Sequence, residues 1–116
     1  MTGATYTLPF PPSVNNLFAG LRRRRISARY RTWRKEAGLE LLAQRARPVH
    51  GKVVVTVLMK APDRRERDAD NYLKAIQDLL VSNGIIASDS KSTVRRVSAE
   101  WTEAGTPRAE VTITAV

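Results

Sequence analysis

The run KVVVTVLMK, residues 52–60, is dense in β-branched apolar side chains and predicts a buried strand. Two other segments carry apolar residues at helical spacing. In 27–45, Ser27 stands as a cap ahead of Tyr30, Trp33, Ala37 and Leu41, while Arg31, Arg34, Lys35, Glu36 and Glu40 fall on the wet face. In 70–82, Asp68 is the cap, the buried stripe is Tyr72, Leu73, Ile76, Leu79 and Leu80, and Asn83-Gly84 is the stop. Partial alternation over 93–102 (Val94, Val97, Ala99, Trp101) and the segment RAEVTITAV, 108–116, predict two more strands joined by a Gly105/Pro107 turn. A short strand over 5–8 opens the chain and stops at Pro9. Residues 9–20, with three prolines and Asn15-Asn16, form a loop. The order β, α, β, α, β, β predicts an α+β fold: one domain over 1–116, with one mixed sheet and two helices packed on it.

Composition narrows the chemistry. The chain has 116 residues, no cysteine and one histidine, His50, which excludes disulfides and multi-histidine zinc sites. A metal here would be a hard cation on oxygen ligands, Mg²⁺ or Mn²⁺. No segment has the length of a membrane span and the N-terminus carries no secretory pattern, so the expectation is a cytoplasmic protein with no membrane partner.

Charge points to the partner. Lys and Arg total 20 against 11 acids, a net charge of +9, and arginine outnumbers lysine. Arginine presents a planar fork that matches phosphate, so the balance implies nucleic acid. The basic residues cluster: Arg22, Arg23, Arg24 and Arg25 with Arg29, Arg31, Arg34 and Lys35; then Arg64, Arg65 and Arg67; then Arg95 and Arg96. The run from Arg22 to Arg25 reads as a phosphate contact, or alternatively as a solvated loop. Trp33 and Trp101 read as core residues rather than base-stacking platforms.

Against that background a few aspartates stand out. Asp68 and Asp70 are two residues apart where a loop meets a helix, so both carboxylates can converge on one cation. Asp70 and Lys74 are four apart and would share a helix face, setting an ammonium beside the pair. Carboxylates that hold Mg²⁺, with a lysine near the scissile phosphate, are the parts of a phosphodiester hydrolase. The same residues also read as an ordinary helix cap and a surface ion pair. Asp89, in the polar loop after the second helix, is a candidate third ligand if that loop returns beside the helix start; it also reads as a turn residue.

The segments TLPFPPSVNN (7–16), PDRRERDADN (62–71) followed by Lys74, and NGIIASD (83–89) together resemble the RusA family of Holliday junction resolvases, over nearly the whole chain. The resemblance implies a homodimeric endonuclease, bacterial or phage-encoded, that resolves four-way DNA junctions by paired symmetric cuts in recombination and repair. By motif position it implies that Asp68, Asp70 and Asp89 bind the metal, Mg²⁺ with Mn²⁺ as a substitute, and that Lys74 is catalytic. It implies DNA contacts at Ser13, Asn15, Asn16, Arg64, Arg65, Arg67 and Asn71, alongside the basic run. The chain departs from some members where Ser88 precedes Asp89, where Glu66 interrupts the arginine run, and where Ile85 and Ile86 replace aromatics. A two-fold dimer suits a junction with two symmetric scissile positions; the final strands and the first helix are candidate pairing surfaces. The competing reading is a non-catalytic basic nucleic-acid-binding module of the same fold.

Overall fold

A computed structural model describes residues 3–20, 25–103 and 105–116. Strand β1 (Gly3–Leu8) leads into the proline loop, which contains a 3-10 turn at Val14–Asn16. Two short strands follow, β2 (Phe18–Ala19) and β3 (Arg25–Ile26), and then helix α1 (Ala28–Ala43). Strand β4 (Val53–Lys60), a second 3-10 turn (Ala69–Tyr72), helix α2 (Leu73–Ser82), β5 (Val94–Trp101) and β6 (Arg108–Ala115) complete the chain.

The α+β class stands, but the expectation of one sheet in a simple β-α-β-α-β-β order is overturned. Two sheets form: four strands in the order β1-β6-β4-β5, and a separate β2–β3 ribbon. The ribbon arises because Gly20, at φ 84°, lets the chain turn back where most side chains would clash. Two-residue strands carry no periodicity, which is why a loop was expected there. The second helix is also divided. Its first turn, Ala69–Tyr72, is 3-10 and the α-helix proper begins at Leu73.

In the main sheet β6 runs antiparallel to both β1 and β4, while β4 and β5 are parallel and joined through α2. One face presents Tyr6, Leu8, Val55, Val57, Met59, Val111 and Ile113, all buried. The core is closed by Tyr30, Trp33, Ala37 and Leu41 of α1 and by Ile76, Leu79 and Leu80 of α2. The Ser27 hydroxyl caps α1, accepting from the Tyr30 N–H at 3.0 Å. The opposite face is polar: Thr5, Thr112, Thr56 and Ser98 stand in register across all four strands. No helix among the described residues is long and apolar enough to cross a membrane.

The two sheet edges differ. At β1, the Gln44 side-chain amide closes the edge, accepting from the Thr7 N–H and donating to the Thr7 carbonyl, both at 2.7 Å. At β5, no side chain among the described residues does the same.

Candidate active site

The loop 61–68 carries the arginine cluster, and Asp63 organises it. Its carboxylate accepts from the Arg65 N–H at 2.9 Å and from both terminal nitrogens of Arg67, at 2.6 and 3.2 Å. The hydrogen bond from Arg67, followed by that from the Arg65 backbone, lowers the Asp63 carboxyl to about 2. Arg67 is thereby committed: its side chain is only 9% exposed and its guanidinium lies 6.0 Å from the Phe10 ring centroid. Arg64 and Arg65 point outward, with the Arg65 side chain 79% exposed and only a long contact to Asp63 at 3.8 Å. Sequence reasoning gave Asp63 no role. The signal was present as an aspartate two residues ahead of the N–H that it accepts, the pattern of an Asx turn.

Beneath this loop three aromatic rings pack together. Tyr72 contacts Phe10 at 5.1 Å and Trp101 edge-on at 5.8 Å between centroids. The Trp33 indole N–H donates to the Pro9 carbonyl at 2.9 Å and fastens the proline loop to α1. These contacts draw the first 3-10 turn against the second. Ser13 and Asn15 then line one open depression of about 350 Å³ together with Arg65, Arg67, Asp68 and Asn71. Six of the residues implied from sequence are therefore brought together. Asn16 stands beside them, its side chain donating to the Ser13 hydroxyl at 3.0 Å. Arg25 is exposed on β3. Arg22, Arg23 and Arg24 lie outside the described residues.

Asp68 takes the cap position of the second 3-10 turn, but only its backbone serves there. Its carbonyl accepts from the Asn71 N–H at 3.1 Å, and its carboxylate makes no capping hydrogen bond. Asp70 is likewise exposed, and neither carboxylate has a hydrogen bond or ion pair among the described residues. Lys74 does not meet Asp70 as the helical spacing suggested. The 3-10 turn ends before α2 begins, so the i, i+4 relation is broken, and the ammonium pairs with Asp78 at 3.2 Å.

Asp89 stands elsewhere. The N–H groups of Thr93 and Val94 donate to the Ser90 carbonyl, and Val94 pairs with Val53 at the beginning of β4. Asp68 and Asp70 sit near Trp101, at the far end of β5. The loop after α2 does not return beside the helix start. Within one chain, Asp89 is separated from the other two by about the length of β5, roughly 20 Å at ~3.3 Å per residue. Among the described residues, no three His, Cys, Asp or Glu side chains are gathered closely enough to share one metal ion. The chemistry of Asp68 and Asp70 nonetheless fits a hard cation. Both are bare oxygen donors, and Mg²⁺ commonly takes only one or two carboxylates while keeping water on its remaining positions.

A family model described as endodeoxyribonuclease RusA matches residues 9–114. The chain is also 32% identical, over 93 residues, to a crossover junction endodeoxyribonuclease rusA of Enterobacteria phage HK97, an alignment that covers 74% of this chain and 73% of that protein.

Proposed function

Because the chain belongs to the RusA family of endodeoxyribonucleases, we propose that it is a metal-dependent nuclease that resolves four-way DNA junctions by paired symmetric phosphodiester hydrolysis. The observation that carries this reading is two bare, exposed carboxylates two residues apart, Asp68 lining an arginine-flanked depression and Asp70 following it in the same turn. On a surface built to attract phosphate, an unpaired carboxylate repels the partner unless a cation stands between them.

Asp68 and Asp70 would hold Mg²⁺, with Mn²⁺ as a substitute; Asp89 would join them as third ligand only across the homodimer, since one chain keeps it at the other end of β5. When bound, the ion supplies charge neutralisation at the scissile phosphate and a more acidic water. Lys74 exchanges Asp78 for a non-bridging phosphate oxygen and donates to it as negative charge builds there. Arg64 and Arg65 bind the flanking phosphates by forked hydrogen bonds. Ser13, Asn15, Asn16 and Asn71 position the strand with neutral donors and acceptors, and Arg25 adds an exposed cation; Arg22, Arg23 and Arg24, which precede it in sequence, are proposed as further phosphate contacts. Arg67 acts on DNA through Asp63, by holding the loop that presents its two neighbours. The working unit is a homodimer in the cytoplasm of a bacterium or of a phage-infected cell.

Purified protein incubated with labelled four-way junction, flap and linear duplex tests the proposal. Mg²⁺ should give paired nicks in the junction and EDTA should remove them. A chain that binds junctions yet cuts none with either metal is a binding module, and the proposal fails.

A further inference from the structure

We propose that the groove between α1 and α2 is a second phosphate-binding surface, one that grips the duplex backbone of DNA outside the cutting site. The choice of ligand rests on the nucleic-acid reading above; the metal and the cutting chemistry do not enter.

Helix α1 sorts its charges by flank. At about 100° per residue, Arg31, Arg34 and Lys35 fall within one arc, and Glu36 and Glu40 fall roughly opposite. The acids line a hollow at the β1 edge with Thr7 and Pro9. The three cations line an open groove of about 410 Å³, walled on its other side by Ser82 and Asn83 at the end of α2. Among the described residues no carboxylate lines this groove.

The arrangement costs the helix something by itself. Arg31 stands four residues from Lys35 and three from Arg34, and like charges at these spacings repel. Among the described residues, none of the three is taken up by an ion pair. Arg31 and Lys35 are exposed, while Arg34 is half-buried with its guanidinium 5.5 Å from the Tyr30 ring centroid. A fork held in this way has little freedom left to lose on binding. Asp78, one turn before Ser82, is already paired with Lys74 at 3.2 Å. The groove is therefore a set of uncommitted cations facing neutral polar groups, which suits an anion.

Position decides which anion. Lys74, Asp78 and Ser82 recur every four residues, so α2 presents them in one column. The column runs from the end of the helix near Asp68 and Asp70 to the groove, about 12 Å at ~1.5 Å per residue. Each strand of a duplex offers a phosphate about every 3.4 Å along the axis. DNA seated at the candidate site thus has phosphates within reach of the groove. A regularly repeating anion can occupy both places at once, and this favours DNA over an acidic protein.

Arg31→Gln with Lys35→Gln tests the proposal by removing two exposed cations. Binding to a labelled four-way junction and to a linear duplex is measured across a salt series without divalent metal. On both, the double variant should lose roughly tenfold or more in affinity, and the slope on log salt should flatten by about 1.8, at about 0.9 per phosphate. Arg47→Gln with Lys52→Gln removes the same charge from exposed positions outside the groove and should change the slope far less. A slope unchanged by the α1 pair, or changed equally by the control pair, overturns the groove.

Amine footprinting of the parent gives a second readout that needs no substitution. Duplex DNA should shield Lys35 from acetylation and leave Lys52 open. Shielding of Lys35 by polyglutamate but not by duplex makes the groove an acidic-protein site and overturns the proposal. Binding is read throughout without cleavage, so a parent that grips DNA through the groove yet cuts none counts against the nuclease reading alone.

Discussion

Arg67 grips Asp63 with both terminal guanidinium nitrogens, at 2.6 and 3.2 Å, and this clamp holds the shape of the loop that carries Arg64 and Arg65. The Asp63 carboxyl is lowered to about 2 from an ordinary 3.8, chiefly by the hydrogen bond from Arg67. A depressed carboxyl stabilises the fold above its unfolded value and loses that contribution as pH falls through the folded one. The loop should therefore stay clamped down to about pH 3 and release near pH 2. Carboxyl carbon NMR across this range checks it: Asp63 should titrate near 2, and Arg67→Ala should move it back toward 3.8. A parent Asp63 that titrates at the ordinary value contradicts the clamp.

The clamp separates the three arginines by role. Arg64→Ala and Arg65→Ala each remove an exposed cation, so junction affinity should fall and its slope on log salt should flatten by about 0.9 per lost phosphate contact. Thermal stability should stay within the usual surface range, about ±0.5 kcal/mol. Arg67→Ala should lower both binding and melting temperature, because it leaves Asp63 held by Arg65 alone and loosens the loop. Binding measured between low and moderate salt, with a melting curve for each variant, distinguishes them.

Gln44 makes a separate prediction for the opposite edge of the sheet. Its amide supplies two hydrogen bonds to the Thr7 backbone, each contributing about 0.5–1.5 kcal/mol net. Gln44→Ala should cost about 1–2 kcal/mol, seen as a lower urea midpoint with an unchanged slope. An unaltered midpoint would mean that the amide closes the edge without stabilising it.

Much of the fold was legible because burial follows period. The β-branched run of β4, the partial alternation of β5, and Ser27 ahead of Tyr30, Trp33, Ala37 and Leu41 each marked an element that forms. The β2–β3 ribbon was not legible, since two-residue strands have no period and depend on the Gly20 turn. Nor was the 3-10 turn at Ala69–Tyr72, because Tyr72, Leu73 and Ile76 suit either helix type. That one ambiguity moved Lys74 from Asp70 to Asp78.

At the candidate site, sequence identified most of the residues that gather at the loop but passed over one and misplaced another. Asp63 was given no role and is the anchor of Arg67. Asp89 read as a neighbour of Asp68 because a motif lists residues without saying where a helix deposits them. A helix linking two parallel strands has its ends at opposite ends of those strands, and that geometry separates the acids within one chain.

The central claim is that Asp70 serves a cation and not the fold. The most direct measurement compares Asp70→Asn with the parent on the same labelled four-way junction, scoring binding without divalent metal and cleavage with Mg²⁺. The account predicts binding equal to or tighter than the parent, since a charge that repels phosphate is gone, and cleavage reduced by about a hundredfold or more. An Asp70→Asn chain that cuts at the parental rate would contradict it.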